Sequence, residues 1–278
     1  MTLLVPAPPL PRRVFARDLL AGRTALVTGA AGGIGRAVAQ GLAEAGADLL
    51  LAARGVERLD TLAEQLRSRT GRRIETGFVD IRNRETVDAL AERARGLFPR
   101  IDILINNAGG QFAQPARDYK PKGWNAVIET NLTGTWNMTQ VFGVPMLEGE
   151  GGAIVNVIAV VGRGFPGIAH TSAARAGVLE LSRSLAYEWG PKVRVNCVAP
   201  GPVQTQAFEQ TYHPDIIKLC EGIPIPRFGR PEEVSYAVTY LASPAAAWIT
   251  GECIFVAGGS QNYGRNQALF DEALGRQS

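Results

Sequence analysis

Short apolar runs alternate with segments of helical periodicity along almost the whole chain. Seven runs have the length and composition of β-strands: Thr24–Thr28, Asp48–Ala53, Arg73–Val79, Ile101–Asn106, Ala153–Ile158, Arg194–Ala199 and Cys253–Val256. The segments between them predict six helices: Gly33–Ala45, Glu57–Arg69, Arg84–Gly96, Gly123–Val144, Thr171–Trp189 and Pro231–Leu241. Strands that alternate with helices predict a parallel sheet with right-handed crossovers. The expected fold class is therefore α/β, a doubly wound, seven-stranded parallel sheet flanked by helices in three layers.

No linker or shift in composition divides this region, which predicts a single domain over residues 20–260. Residues 1–19 form a proline-rich arm with Pro6, Pro8, Pro9 and Pro11, and residues 261–278 form a polar tail. Both end segments are expected to lie outside the core. Within the domain, Pro145 is expected to end the fourth helix, because proline lacks the N–H that helical bonding needs.

The first strand runs directly into a glycine-rich turn, Thr28-Gly29-Ala30-Ala31-Gly32-Gly33-Ile34-Gly35, which leads into the first helix. A strand, a glycine turn and a helix N-terminus together form a cradle for a diphosphate. Glycines let backbone N–H groups approach the phosphates, and the positive end of the helix dipole faces the negative charge. The spacing, Gly-x3-Gly-x-Gly, differs from the commoner G-x-G-x-x-G. The turn predicts a Rossmann-like dinucleotide site.

The residue after the second strand indicates which dinucleotide is bound. An acidic residue there would accept a hydrogen bond from the adenosine ribose 2′-hydroxyl and repel a 2′-phosphate. The chain has Arg54 instead, whose guanidinium offers paired donors to a phosphate. Only four of the 29 basic residues are lysines, so an arginine here also fits a merely solvated side chain. We expect NADP(H) as the cofactor.

Composition argues against several other classes of function. The formal net charge of +3 is spread along the chain, without a basic run that would bind nucleic acid. Cys197, Cys220 and Cys253 are isolated, with neither metal-ligand nor disulfide-framework spacing. No apolar stretch approaches the roughly eighteen residues of a membrane span. We expect a cytoplasmic protein that acts on a small molecule and binds no metal, nucleic acid or membrane.

Further motifs at the strand ends resemble those of the short-chain dehydrogenase/reductase family. The motifs are Asn106-Asn107-Ala108-Gly109, Asn131-Leu132-Thr133-Gly134 and Asn196-Cys197-Val198-Ala199-Pro200-Gly201. The resemblance covers about residues 20 to 260 and implies the same Rossmann-like fold. One departure comes late, where the family's Val-Asp-Gly-Gly is replaced by Val256-Ala257-Gly258-Gly259.

The resemblance also implies which residues bind the cofactor and how subunits associate. Together with Arg54, the residues assigned to the dinucleotide are Gly29, Gly32, Gly33, Ile34, Gly35, Asp80, Ile81, Asn107, Ala108, Gly109, Arg175, Pro200, Gly201, Val203 and Thr205. In the family, the loop glycines and Asp80 hold the dinucleotide, and the loop with Thr205 covers the nicotinamide. The family pairs two long helices across a two-fold axis, which implies a homodimer or homotetramer.

The catalytic residues depart from the family pattern. The family carries a serine, a tyrosine thirteen residues later and a lysine four residues beyond it. Its tyrosine moves the substrate proton and its lysine holds the ribose. In this chain the three positions fall on Ile158, Thr171 and Arg175, and only the helix asparagine, Asn131, matches. We expect Arg175 to hold the nicotinamide ribose in the lysine's place and the usual proton relay to be missing.

The replacement segment, Ala169-His170-Thr171-Ser172-Ala173-Ala174-Arg175-Ala176-Gly177, resembles a subgroup with the peroxisomal trans-2-enoyl-CoA reductases. Related proteins are the 2,4-dienoyl-CoA reductases and bacterial citronellol-type dehydrogenases. The enoyl-CoA reductases have a tyrosine at the position of Leu179, and the dienoyl-CoA reductases have one at Val160. Neither substitute tyrosine is present in this chain.

The missing tyrosine bears on the reaction. Reducing a ketone leaves an alkoxide that needs a matched acid, and an aliphatic hydroxyl such as that of Thr171 is far too weak. Reducing an α,β-unsaturated thioester leaves an enolate oxygen, which needs hydrogen-bond donors while the α-carbon takes a proton from water. Asn131, Thr171 and Ser172 are the candidate donors. The residues therefore favour an enoyl-thioester or enone reductase.

Other proton donors stay open. His170 adjoins the vacant tyrosine position, and a one-residue bulge of the helix would turn its imidazole into the site. A structural histidine at a helix start is the competing interpretation. The remaining candidates are tyrosines that folding would have to bring close: Tyr119, Tyr187, Tyr212, Tyr236 and Tyr240. An alcohol or ketone dehydrogenase with such a donor is one alternative function, and a dinucleotide-binding protein without redox turnover is another.

Overall fold

The computed structural model describes residues 5–11, 13–160, 167–206, 220 and 223–261. Their sheet has seven parallel strands in the order β3-β2-β1-β4-β5-β6-β7. The strands are β1 (Thr24–Thr28), β2 (Asp48–Ala53), β3 (Ile74–Phe78), β4 (Ile103–Asn106), β5 (Gly152–Val157), β6 (Val193–Pro200) and β7 (Cys253–Val256). The predicted sheet is confirmed, with strand ends shifted by at most two residues.

Helices cover both faces of the sheet. They are α1 (Gly33–Glu44), α2 (Val56–Thr70), α3 (Arg84–Leu97), α4 (Pro121–Ile128), α5 (Gly134–Glu148), α6 (Ala169–Trp189) and α7 (Pro231–Ala242). One core layer packs α1, α2 and α7 on the sheet, and another packs α3, α5 and α6 on the opposite face. Ala25 and Val27 of β1 enter the first layer and Leu26 the second, because successive strand side chains point to opposite faces. No helix in this described part of the chain is long and apolar enough to cross a bilayer.

The long helix differs from its prediction in two ways. The segment predicted as one helix is α4 and α5 joined by a π-helical turn, Glu129–Thr133. The expectation that Pro145 ends the helix is wrong, because α5 continues to Glu148. Proline removes only its own hydrogen bond to the carbonyl four residues earlier, and the last turn tolerates that loss. The Gly149 N–H then closes the helix on the Pro145 carbonyl at 3.0 Å.

The ends of β1 and β4 are tied together where the strand order reverses. The Thr28 hydroxyl donates to the Ile105 carbonyl at 3.1 Å and accepts from the N–H groups of Asn107 and Ala108, each at 3.0 Å. In open α/β sheets, ligands bind outside the carboxyl ends of the strands at this reversal. The fold therefore directs attention to the crevice above Thr28.

Candidate active site

A cavity of about 520 Å³ opens at the carboxyl ends of the central strands. It is lined by most residues that the sequence predicts for cofactor binding and catalysis: Gly29, Gly32, Gly33, Ile34, Gly35, Asn107, Ala108, Gly109, Asn131, Thr171, Arg175, Pro200, Gly201, Val203 and Thr205. Five predicted residues lie outside its lining: Arg54, Asp80, Ile81, His170 and Ser172. The structure thus brings the predicted cofactor and catalytic sets together in one cleft.

The glycine loop owes its shape to close backbone packing. Gly29 has a φ of 65° and Gly33 a φ of 53°, in the left-handed region that favours glycine. A Cβ on Gly35 would collide with the Gly29 carbonyl oxygen, so only glycine fits where the loop passes over itself. Gly32 instead lines the cavity, and a Cβ placed there would have no neighbour within 4 Å. The loop is closed on its inner side and open toward the cleft.

The start of α1 offers unsatisfied donors to this opening. Its N-cap residue, Gly32, has no side chain to accept a hydrogen bond, and no acidic residue lies in the first turn. The first backbone N–H groups of a helix have no intrahelical partners, and the helix dipole adds positive potential there. The residues present therefore fit the diphosphate of a dinucleotide, which the N–H groups of Gly33, Ile34 and Gly35 would hold.

Two arginines and an ion pair lie toward the adenosine end of the cleft. Arg58, on the first turn of α2, lines the cavity although the sequence analysis does not single it out. Its place in the first turn of the helix that follows β2 was the available signal. Arg54 itself is exposed beyond β2. The Arg82 side chain donates to Asp80, with Nε 2.9 Å from Oδ1, and this hydrogen bond is the main reason that the Asp80 pKa lies below its ordinary value.

Two further predicted residues support the cavity wall. The Asn107 amide nitrogen donates to the carbonyl oxygens of Thr28 at 3.0 Å and Gly29 at 3.2 Å, which fixes the glycine loop to the end of β4. Ile81 is buried, and a Cβ on Gly134 would lie 2.6 Å from its Cγ1. Asn107 therefore shapes the loop, and Ile81 packs behind the wall against the start of α5.

Asn131 sits in the π-helical turn and is 1% exposed. Its amide nitrogen donates to the carbonyls of Gly110 at 2.7 Å and Val127 at 2.9 Å, and its oxygen accepts from the Gly110 N–H at 3.3 Å. An asparagine amide has only two hydrogens to donate, and both are engaged by protein carbonyls. Asn131 therefore anchors the loop after β4 and has no spare donor for a substrate. Single π-helical turns of this kind are frequent at functional sites.

Thr171 and Arg175 lie one turn apart on the face of α6 that lines the cavity. The Arg175 side chain is buried, which lowers its pKa to about 10, so it stays protonated at neutral pH. No carboxylate of the described residues is close enough to raise that pKa. A Cβ on Gly109 would collide with the Arg175 Nη2, so this glycine makes room for the guanidinium. The reacting end of the cleft therefore carries a positive charge that no carboxylate of the described residues compensates.

His170 lies behind Thr171 and is fully buried. Its ring stacks on Tyr119 at 4.5 Å and meets Phe112 edge-on at 4.6 Å. Its Nδ1 accepts the Thr171 N–H at 2.8 Å and lies 3.3 Å from the Thr171 hydroxyl oxygen, and Nε2 has no partner among the described residues. Burial holds the pKa of the imidazole below its ordinary value. The helix is α-helical from Ala169, without the bulge that would turn this ring into the cleft.

The described tyrosines are all absent from the cavity lining. The Tyr119 hydroxyl donates to the Gly167 carbonyl at 3.2 Å, away from the cleft, and Tyr187 is 92% exposed near the far end of α6. Tyr236 and Tyr240 lie on α7. Tyr212 falls outside the described residues. Ser172, the third candidate donor, does not line the cavity either. Of the candidate hydrogen-bond donors, Thr171 alone faces the cleft with its donor uncommitted to a protein carbonyl.

Comparison with known proteins now gives the family. A family model described as Enoyl-(Acyl carrier protein) reductase matches residues 29–261. The chain belongs to the short-chain dehydrogenase/reductase family. Members of this family are oxidoreductases that bind a nicotinamide dinucleotide and act on small molecules, so this chain is an enzyme of that kind.

Individual relatives confirm the predicted subgroup. The peroxisomal 2,4-dienoyl-CoA reductase, (3E)-enoyl-CoA-producing, of Danio rerio is 36% identical over 252 residues, covering 89% of this chain and 84% of the relative. A citronellol catabolism dehydrogenase of Pseudomonas aeruginosa PAO1 is 34% identical with a TM-score of 0.80, covering 90% of this chain and 99% of the relative. A gluconate 5-dehydrogenase of Burkholderia cenocepacia J2315, solved with NADP and tartrate, is 32% identical with a TM-score of 0.83, covering 88% and 97%.

Proposed function

We propose that this short-chain dehydrogenase/reductase uses NADP(H) to reduce the C=C double bond of an enoyl thioester or an enone. Bound NADPH would supply the hydride for the β-carbon. The proposal rests on the lining of the cavity. Thr171, with its hydroxyl, and Arg175, with its guanidinium, both belong to that lining, and no described tyrosine does. These groups suit an oxygen that gains negative charge, and they do not suit a step that needs a strong matched acid.

Each residue at the reacting end has a distinct role in this proposal. Thr171 donates a hydrogen bond to the carbonyl oxygen of the substrate as the enolate forms, and water supplies the proton that the α-carbon gains. Arg175 holds the nicotinamide ribose in the lysine's place, and its charge lowers the energy of the enolate. Asn131 keeps the loop after β4 in position, since its own donors are committed to Gly110 and Val127. His170 accepts the Thr171 N–H and so fixes the first turn of α6.

The choice of NADP(H) rests on the adenosine end of the cleft. Arg54 follows β2 where an acidic residue would favour NAD, and Arg58 lines the cavity from the first turn of α2. Two guanidinium groups there would bind a 2′-phosphate through charge-assisted hydrogen bonds. The solved gluconate 5-dehydrogenase, a relative with the same fold, contains NADP.

An alcohol or ketone dehydrogenase is the second candidate, and one contact favours it. The Thr171 hydroxyl oxygen lies 3.3 Å from the His170 Nδ1, so a substrate hydroxyl proton has a route through Thr171 to the imidazole. Two of the relatives are named as dehydrogenases, which is consistent with such a reaction. The buried imidazole has a lowered pKa, which makes it a weak base for this route.

The test is NADPH consumption on matched substrates. Crotonyl-CoA and acetoacetyl-CoA share one carrier, and cyclohexenone and cyclohexanone share one ring, so each pair isolates the double bond from the carbonyl. We expect consumption with the enoyl thioester or the enone, with saturated product seen by mass spectrometry. Consumption with the ketones alone would support the dehydrogenase instead. Binding of NADPH without turnover on any compound would indicate a dinucleotide-binding protein.

We also propose that the enzyme is a cytoplasmic homodimer or homotetramer. Trp136 on α5 is 40% exposed and Tyr187 on α6 is 92% exposed, so the two long helices that pair in the family present large side chains outward. Light scattering of the purified protein would give its mass, and a monomer would contradict this assignment. Fractionation of the producing cells tests the compartment.

A further inference from the structure

A second cavity, of about 360 Å³, lies at the opposite end of the sheet from the cofactor cleft. The arm before β1, the end of α1, the end of α2 and the last turns of α7 form its walls. Its lining contains four arginines: Arg13, Arg17, Arg69 and Arg72. Helix α1 therefore connects two cavities, because its first turn faces the cofactor cleft and its last residue, Glu44, lines the second cavity.

The four guanidinium groups are only half neutralised. Arg69 Nη2 lies 2.6 Å from the Glu44 carboxylate. Arg72 donates to the Gly46 carbonyl at 3.1 Å, and its Nε lies 3.5 Å from the Asp48 carboxylate. Arg13 and Arg17, both exposed, form no ion pair with any described carboxylate. The arm therefore brings two unpaired positive charges to a cavity that already contains two paired ones.

A buried hydroxyl at the base of this cavity has no partner. Thr239 on α7 is 1% exposed, and its Oγ1 makes no hydrogen bond within the described part of the chain. It faces Gly41 of α1, where a Cβ would lie 3.2 Å from it, and both residues line the cavity. Buried polar groups are almost always hydrogen-bonded in folded proteins. An acceptor that entered from the cavity would satisfy this hydroxyl.

We infer that this cavity is a binding site for a small polyanion that carries phosphate groups. Arg13 and Arg17 are its principal ligands, because the planar guanidinium fork matches a phosphate and neither side chain has a partner among the described residues. Arg69 and Arg72 add positive potential from the side of α2. The site is separate from the cofactor cleft, since the two cavities share no lining residue.

A bound anion would also fasten the arm to the domain. The arm already follows α7, because the Val5 N–H donates to the Pro226 carbonyl at 3.1 Å and the Ala7 carbonyl accepts from Arg230 Nη2 at 3.1 Å. These contacts lie at the start of α7, and Thr239 lies near its end. Anion binding at Arg13 and Arg17 therefore holds the arm at both ends of that helix.

Calorimetric titration with inorganic pyrophosphate tests the site, provided that the glycine cradle is disabled first. Gly33→Asp does this, because it puts a carboxylate beside the diphosphate position and aspartate tolerates a positive φ better than most residues. We expect saturable binding to the Gly33→Asp protein. Adding Arg13→Gln and Arg17→Gln should weaken it at least about tenfold, since two charge-assisted contacts are lost. Adding Arg84→Gln and Arg95→Gln on α3, which removes the same charge, should leave it unchanged.

Two results would overturn the proposal: no saturable pyrophosphate binding, or equal weakening by the two double substitutions. Circular dichroism verifies that each variant is folded. If Gly33→Asp does not fold, the same titration is made on otherwise unaltered protein saturated with NADP⁺, which occupies the cradle. In that protein, too, the Arg13 and Arg17 substitutions are expected to weaken binding and the Arg84 and Arg95 substitutions to leave it unchanged. The same two results as before would overturn the proposal.

Discussion

The glycine loop and the start of α6 both line one cleft, and they are constrained in different ways. At the loop, a Cβ on Gly35 would collide with the Gly29 carbonyl, so backbone packing permits a single residue type. At α6, Thr171 and Arg175 stand at the positions that the resemblance assigns to the family's tyrosine and lysine. Side chains there must supply donors and charge, and several residue types can do so. The comparison shows that the glycine loop is constrained by backbone shape, whereas the start of α6 is constrained mainly by the chemistry of its side chains.

The arginines near the start of α2 and the arginine of α6 also differ in how they hold positive charge. Arg54 and Arg58 are exposed at the adenosine end, where water solvates a guanidinium at little cost. Arg175 is buried, and the lowered pKa of about 10 records the desolvation. A buried cation without a carboxylate partner destabilises a fold unless a ligand supplies the negative charge. The reacting end is therefore arranged for a negative charge that arrives with ligand or forms during the reaction.

The largest effect on turnover is expected from removing the buried charge of Arg175. Arg175→Met keeps the length of the side chain, and turnover of crotonyl-CoA is expected to fall about 10³-fold, because charge-assisted contacts at the reacting end are lost. Arg175→Lys restores a cation and should stay within about tenfold of the unaltered enzyme. Urea unfolding should show Arg175→Met to be no less stable, since an unpaired buried charge is gone. Unchanged turnover in the methionine variant would remove Arg175 from the reaction.

A smaller effect is expected at the neighbouring turn of α6. Thr171→Val removes the hydroxyl and keeps the shape, so turnover should fall about 10²-fold, as when one donor to a developing oxyanion is lost. Thr171→Ser keeps the donor and is the matched control. The dissociation constant for NADPH, measured by fluorescence, should stay the same in both variants. Equal turnover of the valine and serine variants would show that the hydroxyl does not act on the substrate.

The cofactor preference is tested by reversing the two exposed charges of Arg54 and Arg58. Arg54→Glu combined with Arg58→Glu should lower the NADPH-to-NADH ratio of kcat/KM about 20-fold, because carboxylates repel a 2′-phosphate and accept from a ribose hydroxyl. Steady-state kinetics with both cofactors give the ratio. Arg84→Glu with Arg95→Glu makes the same change of net charge on α3 and should leave the ratio unaltered. A ratio that moves equally in both proteins would assign the effect to overall charge.

The smallest effect is expected behind the reacting end, at His170. Because burial lowers its pKa, protonation favours the unfolded chain, so this histidine contributes stability above the unfolded pKa of about 6.5 and loses it as pH falls. His170→Phe keeps the ring stack and should lose less stability between pH 7.5 and pH 5, measured by urea unfolding. Turnover should change by less than about fivefold, since His170 acts through the Thr171 backbone. The same pH-dependent loss in both proteins would contradict this role.

Most of the fold can be predicted from local sequence, and the errors of that prediction have local causes. Strands with apolar residues on both faces, such as β1 and β4, follow from the pattern because no other element buries such runs in so few residues. The end of α5 was misplaced because Pro145 is a strong stop signal in general, yet here it costs only one hydrogen bond in the last turn. The π-helical turn carries no distinct sequence signal, because it depends on how Asn131 bonds to the Gly110 loop.

The candidate site divides in the same way. The glycine loop, Thr171 and Arg175 can be located from motif spacing, since a motif fixes where backbone and side chains stand on one element. The hydrogen bond from Asn131 to the Gly110 carbonyl and the ring stack of His170 on Tyr119 join residues far apart in the chain, so spacing gives no sign of them. Arg58 falls between these cases, because its place in the first turn of the helix after β2 is visible in the sequence but its position in the cavity lining is not.

The sequence alone determined the layered sheet and the family, and it located the glycine loop, Thr171 and Arg175, because periodicity, glycine spacing and residue identity are all local properties. Only the tertiary structure decided which donors face the cleft. It turned Thr171 toward the cavity, committed Asn131 to protein carbonyls and buried His170 behind the wall. Solvent exposure and hydrogen-bond partners depend on contacts between distant segments, and those contacts exist only once the chain has packed.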